Sequence, residues 1–161
     1  MNAKEIIRLL NLIPHPEGGY YKETFRSAEN MLTPEGNQRS VITAIYFLLE
    51  NEEKSLFHRI KSDEMWFFHQ GEPLEIFYIQ NQTIKTILLG NNLEKGEIPQ
   101  ARMSKDTWFG SRVKNGHGFS FVSCTVAPGF DFLDFEMASR TELMQEFPNL
   151  KESIEYFTAA E

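Results

Sequence analysis

The sequence is poor in cysteine and in basic charge, and it contains no long apolar run. Its single cysteine, Cys124, excludes an intrachain disulfide and fits a reducing compartment, so we expect a cytoplasmic protein. The 16 basic residues are outnumbered by 23 acidic ones. This balance argues against nucleic acid as a partner, because surfaces that hold phosphate backbones are basic. No segment approaches the roughly 18 apolar residues of a membrane span, so we expect no membrane partner either.

Aromatic residues, in contrast, are plentiful. The chain has 14 Phe among 161 residues, which predicts a core or a cavity lined with rings. The length is that of one ordinary domain, and no linker, internal repeat or low-complexity tract divides it. We therefore expect a single domain over residues 1–161.

The N-terminal segment predicts a short helix over residues 4–13. Its apolar residues recur at helical spacing and form one stripe, made by Ile6, Leu9, Leu10 and Ile13. Pro14 and Pro16 then end the helix.

Between about residues 18 and 137 the pattern changes to short aromatic and β-branched segments that turn residues separate. The segment VITAIYFLL at 41–49 is apolar at both odd and even positions, which predicts a central strand buried on both faces. The ten predicted strands are Tyr20–Arg26, Val41–Leu49, Ser55–Ile60, Glu64–His69, Leu74–Ile79, Ile84–Leu89, Pro99–Met103, Thr107–Ser111, Phe119–Val126 and Phe130–Met137. Ten short strands without intervening helices indicate an all-β sandwich or barrel with antiparallel pairing.

The C-terminal segment predicts two helices within about residues 139–159. Ser139 with Glu142 has the spacing of a capping box, and Asn149 with Glu152 repeats it before a second apolar stripe.

The stretch FHRIKSDEMWFFHQG at 57–71 carries the residues best suited to chemistry. His58 closes one strand, a polar turn follows, and Glu64 opens the next strand, so a hairpin brings the imidazole and the carboxylate close together. A carboxylate orients such a ring and supports its charged form, which makes a workable general base. The same two groups are half of a metal site.

At this point the chain resembles the cupin superfamily, whose first motif has a His pair followed by Glu and Gly. The whole sequence is similar to one uncharacterised branch, a domain of unknown function. The matching motifs are HPEGGY, SDEMW, GEIPQ and APGFDF. The resemblance implies a jelly-roll β-barrel (a double-stranded β-helix) related to sugar-nucleotide epimerases of the RmlC type, and usually a homodimer.

The departures from this pattern concern the metal. Metal-binding cupins carry a second His two residues after the first and a further ligand in a second motif. Aligned on this chain, the two positions hold Ile60 and Phe109. A catalytic metal usually needs about three protein ligands, so His58 and Glu64 are too few. We expect no tightly held metal and no other cofactor.

Five further residues are candidates for ligand binding. Trp66 and Phe68 share the face of Glu64 and belong either to the core or to a surface that stacks on a ring-shaped ligand. Arg26 and Arg39 could clamp an anionic group or could be paired on the surface. Tyr46 is a candidate phenolic acid.

Other polar residues have plainer interpretations. Glu64 could be a structural carboxylate paired with Arg26 or Arg59. His69 follows Glu64 by five residues on one strand, so the two side chains should face opposite sides. His15 lies in a turn-rich segment, and the sequence gives it no role.

Two classes of function follow, and both place a small polar metabolite in the barrel. In the first, the protein is an enzyme of the epimerase or isomerase type acting on a sugar or sugar nucleotide without a metal. His58 is then the general base, oriented by Glu64. In the second, the barrel binds its ligand without chemistry, because one fold hosts many functions. A metal-dependent, oxygenase-like reaction would require ligands other than those of the motif.

Overall fold

The computed structural model describes residues 1–161 as two facing β-sheets with short helices at both ends of the chain. The strands in chain order are β1 Ile13–Pro14, β2 Tyr20–Arg26, β3 Asn30–Leu32, β4 Gln38–Ser40, β5 Thr43–Glu50, β6 Lys54–Arg59, β7 Asp63–Gly71, β8 Leu74–Gln80, β9 Thr83–Leu89, β10 Gln100–Met103, β11 Phe109–Val113, β12 Phe119–Ala127 and β13 Glu136–Met137.

All pairings between these strands are antiparallel. The larger sheet has the order β1-β2-β5-β12-β7-β10, the smaller one has the order β13-β6-β11-β8-β9, and the β3–β4 hairpin belongs to neither. The all-β jelly roll expected from the sequence is confirmed.

Three α-helices flank the sheets: α1 Ala3–Leu10, α2 Arg140–Glu146 and α3 Lys151–Phe157. The first helix begins with a capping box between Asn2 and Glu5, and Asn11 ends it in the left-handed conformation. None of the helices has the length and apolar character that a membrane crossing requires.

Three apolar clusters hold these layers together. The largest lies between the sheets and includes Phe47, Trp66 and Phe109. A second packs Phe57 and Ile79 of the smaller sheet against the C-terminal helices. A third lies between the first helix and the outer face of the larger sheet. The central strand β5 contributes to both the first and the third cluster, as its apolar residues at both odd and even positions predicted.

The prediction of a strand over Phe130–Met137 is wrong for most of its length. Phe132–Asp134 forms a single 3₁₀ turn, and only Glu136 and Met137 pair with β6. Phe130 and Phe132 are spaced as in a strand, whereas Phe135 follows three residues later, and all three rings face the cavity from a loop. The segment Pro128–Phe135, called here the rim loop, is important for the site.

The C-terminal capping predictions had different outcomes. The Ser139 hydroxyl accepts a hydrogen bond from the Glu142 amide, as predicted. The prediction of a second capping box, between Asn149 and Glu152, is wrong. Leu150 is the residue that precedes the last helix, and the Asn149 side chain donates a hydrogen bond to the Gln82 carbonyl instead.

Candidate functional site

Apolar side chains fill one end of the barrel. The other end is open and contains a cavity of about 550 Å³ between the two sheets. This volume suits a small metabolite. The inward residues of β5, β7 and β12 form one wall: Thr43, Ile45, Phe47, Glu64, Trp66, Cys124 and Val126. The opposite side is formed by His58 and Ile60 of the smaller sheet and by the rim loop.

The central polar contact of the cavity joins His58 to Glu17. Nε2 of His58 lies 2.9 Å from Oε2 of Glu17, and Nδ1 lies 2.7 Å from the Leu56 carbonyl oxygen. Both side chains are buried. Because a carbonyl only accepts, Nδ1 carries a proton, and the second nitrogen faces the carboxylate.

Glu17 reaches this position through a turn between β1 and β2. Gly18 has φ +110° and packs so tightly against the Lys54 carbonyl that a Cβ would collide with it. The Leu56 amide donates to the Glu17 carbonyl at 2.8 Å, which ties the turn to β6. Glycine is therefore required for the backbone conformation and for the close approach.

The electrostatics favour a charged pair. Burial alone would raise the pKa of Glu17, but the charge and hydrogen bond of His58 outweigh it and hold this pKa below its usual value. Burial alone would likewise lower the pKa of His58, but Glu17 raises it above its usual value. The pair is thus an imidazolium facing a carboxylate.

Glu64 lines the same cavity without an ion-pair partner. Burial is the main reason that the pKa of Glu64 rises to about 7, and the charge of Glu17 adds to this shift while His58 opposes it. The neighbouring thiol is that of Cys124, whose own pKa burial raises well above its usual value. Near neutral pH the Glu64 carboxyl therefore exists in both protonation states, and the thiol stays protonated.

His15 forms part of the wall beside Glu17. The Glu17 amide donates to Nδ1 of His15 at 3.1 Å. The ring lies edge-on to Tyr21, at 4.5 Å between centroids, and to Phe47 and Phe135. Burial lowers the pKa of His15, although the charge of Glu17 opposes the shift.

The rim loop covers the cavity from the other side. Its lining residues are Phe130, Asp131, Phe132 and Phe135. The ring of Phe135 stacks on that of His58, with centroids 5.4 Å apart. The loop thereby shields the charged pair from water.

Four of the residues predicted from the sequence line the cavity: His58, Glu64, Trp66 and Arg26. Arg26 lies at the half-exposed mouth, with its Nε 2.6 Å from Oε1 of Glu23. The predicted orienting contact from Glu64 to His58 is wrong, because Glu17 occupies that place. Glu64 is not the partner of an arginine either, since Arg59 pairs with Glu136.

The three other candidates for ligand binding, Arg39, Tyr46 and Phe68, do not line the cavity. Arg39 binds Asp134 of the rim loop with two hydrogen bonds, at 2.7 and 2.9 Å. Tyr46 lies on the outer face of its sheet, against Phe121, because its neighbours on the strand take the inner face. Phe68 lies further from the mouth than Trp66 and packs against the core.

His69 turns away from Glu64, as predicted, and its Nε2 lies 2.7 Å from the Ser123 hydroxyl. The sequence interpretation missed Glu17 and His15 as site residues. Their signal was the HPEGG segment, in which two adjacent glycines mark a tight backbone approach.

The residues at the metal position of cupins do not fit a metal ion. Ile60 lines the cavity as an apolar side chain, and Phe109 packs its ring 4.3 Å from that of His58. The two nitrogens of His58 are both engaged in hydrogen bonds, so neither offers a free lone pair. No group of three His, Cys, Asp or Glu side chains is arranged to hold a metal.

Comparison with known proteins shows relatives along nearly the whole chain. A hypothetical protein from Leishmania major is 38% identical, with a TM-score of 0.94 and coverage of 99% of this chain and 100% of that one. A protein from Shewanella oneidensis is 40% identical, with a TM-score of 0.90 and coverage of 100% and 99%. An uncharacterized protein of Saccharomyces cerevisiae is 28% identical over 148 residues, 83% of this chain and 73% of that one.

The family model described as "Cupin superfamily (DUF985)" matches residues 4–138, which include every strand of the barrel and all the cavity-lining residues described above. The chain therefore belongs to the DUF985 family of the cupin superfamily.

Proposed function

We propose that the cavity binds a small polar metabolite with a carbonyl group and moves a proton at the carbon beside that carbonyl, as in isomerisation or epimerisation. The observation that carries this proposal is Glu64, a buried carboxyl that lines the cavity, has no ion-pair partner and has a pKa of about 7. A catalytic acid or base works best when its pKa lies near the working pH.

The proton transfer balances with protein groups alone. The Glu64 carboxylate takes the proton, the C–H electron pair becomes a C–C double bond, and the carbonyl oxygen takes up the negative charge of an enolate. In an α-hydroxy carbonyl substrate the hydroxyl proton then moves to the former carbonyl oxygen, the hydroxyl-bearing carbon becomes the new carbonyl, and protonated Glu64 returns its proton to the former carbonyl carbon. One carboxyl therefore suffices for the proton transfer between the two carbons of an isomerisation, while an epimerisation also needs a donor on the opposite face.

In this proposal the role of His58 differs from that expected from the sequence. Its nitrogens are engaged by Glu17 and Leu56, so it has no lone pair with which to act as base. As a buried imidazolium it instead contributes a positive charge near the developing enolate. Glu17 holds the ring in this state.

We further propose that the ligand is a carbohydrate. This proposal rests on the resemblance to sugar-nucleotide epimerases and on the mouth of the cavity, where Lys22 and Arg26 offer cations to an anionic group. Arg26 is the remaining candidate among the two arginines, because it lines the cavity and its partner Glu23 is exposed, whereas Arg39 lies outside the cavity and is engaged by the rim loop.

Native mass spectrometry of the purified protein would identify a co-purifying metabolite, and ¹H NMR in D₂O would then follow deuterium uptake beside its carbonyl. We expect Glu64→Gln to abolish exchange. Glu53→Gln serves as the matched control, because burial also raises the pKa of Glu53 but this residue lies outside the cavity. A metabolite that binds but takes up no deuterium would favour the non-catalytic binding function.

A further inference from the structure

His15 is a cavity-lining residue that the proton transfer above does not use. Its side chain is 6% exposed and lies between the rings of Tyr21, Phe47 and Phe135. Each nitrogen of such a histidine finds its hydrogen-bond partner in the protein, in water or in a ligand.

The hydrogen bonds of the turn determine which nitrogen carries the proton. The Glu17 amide donates to Nδ1 at 3.1 Å, so this nitrogen presents its lone pair. In a neutral ring the proton therefore resides on Nε2. Burial is the main influence on His15 and favours the neutral form.

Nε2–H has no acceptor in the protein, although the ring lines the cavity. Nε2 is not one of the side-chain atoms that are both sealed from solvent and unpaired, so its N–H is open to the cavity and can donate to a ligand there. The Glu17 carboxylate is not this acceptor, since it lies 3.8 Å from the other nitrogen, Nδ1, and is engaged by His58.

We infer that His15 is a further catalytic residue, whose Nε2–H donates a hydrogen bond to the carbonyl oxygen of the substrate. This inference rests on the proposed function and deepens it. The substrate class is a ketone or aldehyde with a proton on the adjacent carbon and a shape that fits between aromatic rings.

The Nε2–H group of His15 contributes when the enolate forms. When Glu64 removes the proton, the carbonyl π electrons move to oxygen, and the hydrogen bond from Nε2–H strengthens as that oxygen becomes negative. A neutral imidazole suits this role, because it donates to the enolate without first transferring its proton.

Two substitutions separate this role from a structural one. His15→Asn keeps an acceptor for the Glu17 amide, as in an Asx turn, but lacks a donor at the position of Nε2. His15→Gln places an amide N–H at about the reach of Nε2 but lacks the Nδ1 acceptor. If the role of His15 is purely structural, the His15→Asn variant should be active. If His15 is a hydrogen-bond donor to the substrate, the His15→Gln variant should retain more activity than the His15→Asn variant.

The experiment uses phenylpyruvate as the probe, since it carries a ring, a carbonyl and an exchangeable C–H. ¹⁵N NMR of the free protein should show the Nε2–H tautomer, and phenylpyruvate should shift that signal. In D₂O exchange assays we expect His15→Asn to lower kcat about 10²-fold with little change in KM, as for loss of one oxyanion donor.

A proton on Nδ1, an unshifted Nε2–H signal, or full activity of His15→Asn would overturn the inference. Failure of the proposed function has a different signature. In that case the Nε2–H signal shifts on binding, but wild-type protein catalyses no exchange.

Discussion

Oε2 of Glu17 lies 2.9 Å from Nε2 of His58, so the turn between β1 and β2 of the larger sheet contacts β6 of the smaller sheet. The contact therefore links the two sheets at the cavity. Because both side chains are buried, the pair has a structural role as well as the electrostatic role proposed above. Removal of one partner should reveal both.

Glu17→Gln is expected to lower the pKa of His58 below that of a free histidine. In the wild type, burial opposes the charged ring and Glu17 overcomes it. Without the carboxylate, burial dominates, the ring loses its charge at neutral pH, and the protein loses about 1–3 kcal/mol of unfolding free energy. NMR titration of His58 and urea denaturation would measure the two effects.

Glu23→Gln is the control for this change. It breaks the pair with Arg26, in which both side chains are substantially exposed. Such surface pairs contribute about 0–1 kcal/mol, so stability should change little. If the Glu17 variant left the His58 titration unchanged, the assignment of the ion pair would be wrong.

Gly18→Ala is expected to displace Glu17 from His58. A Cβ at this position collides with the Lys54 carbonyl, so the turn must move away from β6. Gly36→Ala is the matched control, because Gly36 also has positive φ, +85°, but has open space where the Cβ would lie. The control should cost about 1 kcal/mol of unfolding free energy, the value for backbone strain alone.

The two glycine variants should therefore differ in the site as well as in stability. Only the Gly18 variant should lower the pKa of His58 in an NMR titration. Equal stability losses and unchanged His58 titrations in both variants would show that close approach at Gly18 does not position Glu17.

The barrel itself could be predicted because its signals are local. The apolar residues of β5 at both odd and even positions predicted a central strand, which the structure pairs with β2 and β12, and turn residues marked most strand ends. The pairing of His58 could not be read in the same way. A hairpin brings Glu64 near in sequence, while Glu17 arrives from a distant turn whose path depends on Gly18 and its contact with β6.

The rim loop illustrates a second limit. Phe130 and Phe132 have the spacing of a strand and Phe135 breaks it, yet all three rings face the cavity. The sequence does not show that the segment has no strand partner over most of its length. It also does not show that Arg39 is engaged by Asp134 rather than by a ligand, since both roles require a forked cation.

Arg39→Ala is expected to loosen the rim loop. The lost hydrogen bonds to Asp134 are long-range contacts that tie the loop to the β3–β4 hairpin. Amide hydrogen exchange around Phe135 should accelerate by about tenfold or more, because local opening becomes easier. Arg112→Ala is the control, since Arg112 pairs with Glu75 away from the cavity. Equal acceleration in both variants would contradict a specific role of Arg39.

Glu64→Gln is expected to change how stability depends on pH. The pKa of Glu64 rises on folding from 4.5 to about 7, so the folded state binds a proton more tightly than the unfolded chain. The unfolding free energy of the wild type therefore includes a contribution that is full below pH 4.5 and is lost as the pH rises through about 7. This loss amounts to about 3 kcal/mol, whereas glutamine stays neutral throughout.

Urea denaturation at pH 5 and pH 8.5 would measure this difference. At pH 5 the unfolding free energies of the Glu64→Gln variant and the wild type should be similar. At pH 8.5 the variant should have the larger unfolding free energy. His58, whose raised pKa also makes its contribution fade at high pH, is present in both proteins, so its effect largely cancels in the comparison. Parallel losses in the two proteins between these pH values would mean that folding does not raise the pKa of Glu64, and the proposed function would then lose the observation that carries it.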